Sequence, residues 1–221
     1  IIVSMWEYIN KNIGNCTIVD SNSTIMQSRM IKTSWEIDML RYAAKHTEKS
    51  LNKLIRNVQP GMLAADVDSM LVEIGYELDS KKSMISPMFI PAYGPYYGLS
   101  GLPRNYILKK GDIIKMDGGF CHLGYMSDIT RTFAVGNETG DNAKRIYETL
   151  YKGFEKGIEM LKPGAKYSEV FKEVRRTVES SDTIPSYPRG HVGHSIGVSP
   201  MLEEYPQLAP NVDVVLCPNM V

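Results

Sequence analysis

Apolar side chains recur every three or four positions along several stretches of the chain, the spacing of amphipathic helices. The clearest stretch predicts a helix from Ser34 to Ile55, opened by the capping box Thr33-Ser34-Trp35-Glu36 and ended by Pro60-Gly61. The same spacing predicts further helices over residues 5–13, 66–78, 142–161 and 167–179.

Two segments, 34–104 and 142–221, repeat one order of elements: a long helix, a Pro-Gly stop, a shorter helix and then strands. Pro60-Gly61 ends the long helix in the first segment, and Pro163-Gly164 ends it in the second. The residues between these signals are not otherwise repeats. The pattern therefore predicts two structurally similar halves built of helices and strands.

Short apolar runs predict the strands. Ile113 to Met116 follow a turn signal and read as a buried strand that ends at Asp117, with Gly118-Gly119 as a turn and a second strand over 120–125. A short strand is predicted over 16–19, and an irregular strand over 83–91, where two prolines interrupt the alternation. Tyrosines, glycines and prolines over 92–104 predict a long ordered loop of the kind that often builds a binding pocket.

Composition narrows the class of protein. The 221 residues allow one large domain or two small ones, and the net charge of zero gives no support for binding to nucleic acid or to a membrane surface. The three cysteines are far apart, which favours a reducing compartment, and we expect a cytoplasmic protein. The first residues lack the features of a signal peptide, but the sequence begins with Ile rather than Met, which limits what they say about targeting.

Candidate chemistry centres on Asp117 and Asp128, which are eleven positions apart. A hairpin of this length would bring both carboxylates into one space, where they repel unless a cation or a proton joins them. The pair therefore indicates a metal site or an acid pair. The alternative is two turn aspartates that cap strand ends.

A second polar cluster spans residues 189–198 and contains His191 and His194 among glycines. Glycines allow a ligand to approach the backbone closely, and a histidine in such a loop can bind a metal or transfer a proton. A turn histidine bonded to the backbone is the alternative. Together, two aspartates and a histidine form a hard, oxygen-rich set that suits Mn, Co, Zn or Fe.

These motifs resemble the creatinase/aminopeptidase "pita-bread" metallopeptidase family, M24. The resemblance rests on Asp117-Gly118-Gly119, on Gly193-His194-Ser195-Ile196-Gly197, and on the stretch Gly124 to Phe133 that contains Asp-Ile-Thr-Arg-Thr. That string, together with Arg29 to Ile37, is closest to the Xaa-Pro dipeptidase and aminopeptidase branch. The resemblance implies an α+β pita-bread fold, with two similar halves around a curved antiparallel sheet.

The resemblance also implies a site in which Asp, Asp, His, Glu and Glu hold two divalent ions, Mn, Co or Zn. Asp117, Asp128 and His194 match the first three ligands. Leu216 to Val221 resemble the Leu-x-Pro-Gly-Met-Val pattern that precedes the two glutamates, which would lie beyond Val221. The chain is thus expected to be incomplete at its C-terminal end. Residues 1–30 are expected to be the linker and tail of an absent N-terminal domain, and residues 31–221 to be the catalytic domain.

Two further positions depart from the peptidase pattern. Ser100 stands where a substrate-side histidine is expected, and Glu203-Glu204 stand where the peptidases carry His-Glu. Ser100, Glu203 and Glu204 are therefore candidate catalytic positions, but their identities weaken the case for cleavage of proline peptides, since a lost transition-state donor can cost about 3–4 kcal/mol.

Three functions remain open at this point. The first is a metal-dependent hydrolase of the Xaa-Pro peptidase type acting on a small peptide. The second is a creatinase-like hydrolase that cleaves a C–N bond of a small molecule, and the third is a non-catalytic homologue. Members of the family are often dimeric, so a homodimer is an expectation from the resemblance.

Overall fold

The computed structural model describes residues 2–79, 86–93, 105–198 and 203–221. The helices in these ranges are α1 (Val3–Asn12), α2 (Asn22–Met30), α3 (Ser34–Asn57), α4 (Ala64–Leu78), α5 (Asp141–Met160) and α6 (Tyr167–Glu179). The strands are β1 (Ser86–Tyr93), β2 (Ile113–His122), β3 (Tyr125–Met126), β4 (Ile129–Ala134), β5 (His194–Ser195) and β6 (Glu204–Gln207).

The helix predictions are confirmed, but the predicted strand over 16–19 is wrong. The capping box forms as expected: the Thr33 hydroxyl accepts from the Glu36 backbone amide, and Glu36 accepts from the Thr33 amide. Residues 16–19 have no regular structure, and Ile18 and Val19 are exposed. A strand needs a neighbour to satisfy its backbone groups, and these residues pair with none of the described strands.

The principal sheet has β2 at its centre. β2 pairs antiparallel with β1 on one side, and with β3 and then β4 on the other. A tight turn at Leu123 and Gly124, both with positive φ, joins β2 to β3, and His122 pairs with Tyr125 across it. Positive φ at both central residues gives the twist that a two-residue hairpin requires.

The predicted turn at Gly118-Gly119 is also wrong, because β2 runs through both glycines without a break. A Cβ atom at Gly119 would lie 2.0 Å from the Ser127 carbonyl oxygen. Gly119 is thus required for the close approach of the returning chain rather than for a change of direction.

The first half of the chain holds the larger core. Leu51 and Leu54 of α3, with Val58 just after the helix, pack with residues of α4 and with Ile114 and Met116 of β2. The buried hydroxyl of Thr47 accepts a hydrogen bond from the Phe120 amide at 3.0 Å and lies 2.7 Å from the Ser127 hydroxyl. This polar link fixes α3 against the part of β2 that follows Asp117.

The second half repeats the helix pair with a smaller core. α5 packs on α6, and Tyr167, Val170 and Val174 of α6 form a cluster with Leu208 and the chain that precedes Val221. β5 and β6 form a separate two-stranded sheet. Over the described residues, no helix is both long and apolar enough to cross a membrane.

Candidate metal centre

Asp117 lies in the middle of β2, where it pairs with Thr130 of β4. Its carboxylate accepts a hydrogen bond from the Thr130 hydroxyl at 2.5 Å and forms an ion pair with Lys115 Nζ at 2.6 Å. Lys115 precedes Asp117 by two residues, so both side chains lie on the same face of the strand.

The surroundings of Asp117 favour its ionised form. Burial alone would raise the pKa of this carboxyl, but the hydrogen bonds from Lys115 and Thr130 outweigh it and lower the pKa. The positive charge of Arg189 acts in the same direction. Asp117 is therefore an anionic oxygen donor at neutral pH.

Asp128 and His194 are in direct contact, although they are far apart in sequence. His194 Nε2 lies 3.1 Å from Asp128 Oδ2, and both side chains are largely buried. Asp128 lies just before β4, whereas His194 opens β5 and is paired with Gln207 of β6. The contact therefore joins the two halves of the chain at one point.

The imidazole of His194 is held from both sides. Its Nδ1 donates to the Ser195 carbonyl at 3.0 Å, which leaves Nε2 facing Asp128. The hydrogen bond to Asp128 raises the pKa of His194, against the opposing effect of burial. A backbone carbonyl on one ring nitrogen is the usual way to orient a histidine that ligates a metal through the other.

The donor chemistry at this contact fits a divalent cation. Carboxylate oxygen and imidazole nitrogen are the donors that Mn, Co and Zn accept, and a cation would take the place of the His194 Nε2 proton. Within the ranges that the structure describes, however, no three His, Cys, Asp or Glu side chains are grouped closely enough to hold a metal. Asp117 is instead engaged by Lys115.

Glu203 lies on the same side of the structure as His194. Its carboxylate accepts from the Gln207 side-chain amide at 3.0 Å and lies 3.5 Å from Arg189 and 3.8 Å from His191 Nε2. The rings of His191 and His194 are 6.1 Å apart. Burial lowers the pKa of His191, and the charge of Arg189 lowers it further.

Glu204 has different partners from its neighbour. Its carboxylate is buried and forms an ion pair with Arg29 of α2, while Lys32 Nζ lies 3.7 Å away. A Cβ atom at Gly197 would lie 2.6 Å from this carboxylate, so the backbone of the histidine loop closes over it. Glu204 therefore links β6 to α2 through its ion pair with Arg29.

The structure thus brings together part of the predicted site. Asp128 and His194 are in contact, and Glu203 lies beside His191. Asp117 of β2 pairs with Thr130, which follows Asp128 by two residues. Ser100, like most of the predicted loop over 92–104, lies outside the described residues. Sequence reasoning gave no role to Lys115 or Arg189. The period-two spacing of Lys115 from Asp117 was a usable signal, whereas no local signal placed Arg189 beside Glu203.

Comparison with known proteins identifies the class. Residues 38–221 match the model of Metallopeptidase family M24, and the chain belongs to this family. The match includes Asp117, Asp128 and His194, so the sequence prediction of the family is confirmed.

Individual relatives agree with this assignment. The methionine aminopeptidase of Clostridium perfringens is 32% identical over 177 residues, which cover 76% of this chain and 68% of that protein. The Bacillus subtilis relative YkvY is 31% identical over 225 residues, covering all of this chain and 60% of that protein.

A solved Xaa-Pro dipeptidase from Bacillus anthracis matches the whole chain with a TM-score of 0.85 and 26% identity, over 60% of that protein. The pita-bread fold is thereby confirmed over the full chain. The chain spans about 60% of the length of these last two relatives.

Proposed function

We propose that this chain is part of a metal-dependent hydrolase of the Xaa-Pro dipeptidase or aminopeptidase type. The observation that carries the proposal is the contact between His194 Nε2 and Asp128 Oδ2 in a chain of family M24. The Xaa-Pro dipeptidase from Bacillus anthracis, which shares the fold over the whole chain, supports the substrate class.

Asp117, Asp128 and His194 are the residues that would hold the metal. Bound divalent ions polarise a scissile carbonyl and lower the pKa of a bound water, which supplies a nucleophile near neutral pH. In this chain the carbonyl of Ser195 orients the His194 ring, and Thr130 orients Asp117. Glu203, with its partner Arg189, is proposed to contact a substrate or the water that attacks it.

The two glutamate ligands are proposed to follow Val221. The two halves share a backbone pattern: Leu63 pairs with Ile107 in the first half, and Lys166 pairs with Val215 in the second. Ile107 and Val215 therefore correspond, and they are 108 positions apart. On this correspondence, the counterpart of Asp117 falls four residues after Val221. A carboxylate there would face the first half across the site.

Several further properties are proposed on the resemblance alone. Residues 1–30 would link the catalytic domain, 31–221, to a preceding domain. Manganese is the first metal to try, the protein is proposed to be cytoplasmic, and a homodimer is its proposed assembly.

The test uses the gene product that continues past Val221. With Mn²⁺ added, we expect hydrolysis of Xaa-Pro dipeptides, measured as the release of free proline. We also expect the activity to be lost when the metal is chelated. His194→Ala should abolish turnover, whereas His46→Gln, which changes a buried histidine outside the site, should retain it. No turnover of any Xaa-Pro substrate by the metal-loaded product would refute the peptidase assignment.

A creatinase-like hydrolase is the second candidate, and two contacts favour it. Lys115 neutralises Asp117 where a metal would otherwise do so, and Glu203 stands where the peptidases carry histidine. This candidate predicts cleavage of a small amidino or amide compound that survives chelation. Lys115→Met separates the two, since it should raise metal affinity if Lys115 competes with the metal for Asp117. Absence of both bound metal and activity would favour the non-catalytic homologue.

A further inference from the structure

Asp128 lies at a break in the strand pairing of the principal sheet. β3 ends at Met126 and β4 begins at Ile129, so Ser127 and Asp128 lie between the two strands. In the pairing of β2 with β3 and β4, neither of these two residues has a partner. The ladder that fixes Asp117 therefore does not fix Asp128, and other contacts must hold it in place.

A closed ring of three hydrogen bonds holds Ser127, the residue before Asp128. The Phe120 amide donates to Thr47 Oγ1 of α3 at 3.0 Å, and the Ser127 hydroxyl donates to the Phe120 carbonyl at 3.2 Å. Because Ser127 uses its proton on that carbonyl, the Thr47 hydroxyl is the donor in the 2.7 Å contact with Ser127 Oγ. Thr47 and Ser127 are both fully buried, so this ring satisfies groups that water does not reach.

The backbone of Ser127 is held against β2 as well. Its amide donates to the Phe120 carbonyl at 3.2 Å. Its carbonyl oxygen would lie 2.0 Å from a Cβ atom at Gly119, so the two chains are in close contact at this point. Ser127 is thus fixed through its side chain and through its backbone.

The residues on either side of Ser127 face the loop that carries His194. The Met126 amide donates to the Gly197 carbonyl at 2.9 Å, and Asp128 Oδ2 lies 3.1 Å from His194 Nε2. Successive residues of an extended chain point in opposite directions, and here the middle one points to α3. Ser127 therefore lies directly behind the segment that receives the second half of the chain.

We propose that Thr47 is a positioning residue for the candidate metal centre. It acts through Ser127: the hydroxyl ring takes the place of the missing ladder bonds and sets Asp128 where it contacts His194. The effect on this contact follows from the geometry alone, whereas an effect on metal binding also rests on the proposed function.

Ser50 offers a matched control on the same helix. It follows Thr47 by three residues and is equally buried. Its hydroxyl donates to the His46 carbonyl at 2.9 Å, which is a bond within α3. Ser50→Ala therefore removes a buried hydroxyl without loosening Ser127, whereas Thr47→Val removes one and breaks the ring.

A double-mutant cycle with His194→Ala in the 221-residue chain tests the positioning role. Thr47→Val should lower the urea midpoint, because both the ring and the Asp128–His194 contact are lost. In the His194→Ala background that contact is already absent, so Thr47→Val should lower the midpoint by at most about half as much. Ser50→Ala should lower the midpoint equally in both backgrounds.

Metal affinity gives a second readout, in the gene product that continues past Val221. Thr47→Val should weaken Mn²⁺ binding by about tenfold or more, as the loss of a group that orients a ligand commonly does. Ser50→Ala should leave the affinity unchanged, and Thr47→Ser, which keeps the hydroxyl, should restore it. A product that binds no metal would contradict the proposed function, while the stability cycle would still decide the role of Thr47.

Three results would overturn the proposal. Equal midpoint shifts for Thr47→Val in both backgrounds would show that Thr47 only stabilises the fold. An equal loss of metal affinity in Ser50→Ala would have the same meaning, as would a failure of Thr47→Ser to restore binding. If Thr47→Val does not fold, Ser127→Ala takes its place in the cycle, since it leaves the Phe120 amide bonded to Thr47.

Discussion

The two halves of this chain have the same backbone connections and unequal cores. Each half ends a long helix with Pro-Gly and returns the chain along the start of a second helix through the same set of hydrogen bonds. In the first half the long helix is buried under β2, whereas in the second half the corresponding face is exposed. The local turn sequence therefore specifies how the elements are connected, and the sheet determines how much apolar surface the long helix buries.

The candidate centre takes residues from both halves, and these residues are held in place in two different ways. Asp117 lies inside the strand system of the larger core, where backbone pairing on both sides fixes its position. His194 comes from the second half and is positioned by the short pairing of β5 with β6. The Asp128–His194 contact therefore depends on how firmly the second half is ordered.

The largest expected difference between the halves is in the cost of removing a core side chain. Leu51→Ala should lower the free energy of unfolding by about 2–5 kcal/mol, because it leaves a cavity between α3, α4 and β2. Lys166 corresponds to Leu63 at a separation of 103 positions, and the same separation makes Phe154 of α5 the counterpart of Leu51. Phe154→Ala should change the free energy of unfolding by roughly 0.5 kcal/mol or less, because Phe154 is exposed. Urea unfolding of both variants, monitored by circular dichroism, measures the two values.

Equal costs for the two substitutions would show that Phe154 is buried in the 221-residue chain in solution. Sedimentation velocity on the same samples distinguishes burial in a dimer from burial within one chain. A cost for Phe154→Ala that disappears at low protein concentration would point to a self-associated α5 face.

The same contrast explains what the sequence could predict. The helices were predictable because apolar period, the Thr33 capping box and the two Pro-Gly stops all agreed. The Pro-Gly repeat predicted two similar halves. The prediction of a strand over 16–19 failed because a run of four residues does not show whether a neighbouring strand is present to pair with it.

The candidate site was predictable where a motif carried it and not where packing did. Asp117, Asp128 and His194 were predicted as metal ligands from their motifs, and that role stays a prediction, which the contact of Asp128 with His194 supports. The direction of the chain at Gly118-Gly119 was misassigned, because two glycines indicate either a turn or a close backbone approach, and only the Ser127 backbone decides between them. Glu203 and Glu204 are adjacent in sequence but have different partners, Arg189 and Arg29. These two arginines are far apart in sequence, so no local pattern predicted the difference.

Acid sensitivity should also be unequal between the halves. His46 of α3 is buried beside Phe120 and close to Asp79 and His122, and burial lowers its pKa below 6.5 despite the charge of Asp79. The corresponding residue of α5 is Thr149, which does not titrate. A histidine that protonates more readily when unfolded favours the unfolded chain at low pH, so stability should fall as pH drops below about 6.5.

His46→Thr, which copies the second half, should reduce that dependence. The slope that one such histidine contributes approaches about 1.4 kcal/mol per pH unit between its unfolded and folded pKa values, and vanishes above the unfolded value. Urea unfolding between pH 5 and pH 8 (a range spanning about 1.5 units on each side of the ordinary value) gives the slope for both proteins. An unchanged slope in His46→Thr would assign the acid sensitivity to other groups.

The smallest expected difference lies at the starts of the two long helices. Thr33 caps α3 and also donates to Glu36 through its hydroxyl, whereas the N-cap residue of α5, Gly140, has no side chain to cap the helix. Thr33→Ala should cost about 1 kcal/mol, because the Glu36 amide loses its acceptor. Gly140→Ser should add only a few tenths of a kcal/mol, since glycine is itself a tolerable N-cap.

The backbone at Gly140 is extended and a Cβ atom there would meet no neighbour within 4 Å, so serine fits without strain. Glu36→Gln serves as the control for α3, because it keeps a side-chain acceptor for the Thr33 amide while removing the charge at the helix start. If Thr33→Ala costs no more than Gly140→Ser gains, the capping box contributes little. The stability of α3 would then come almost entirely from its burial under β2, which would widen the energetic difference between the two halves.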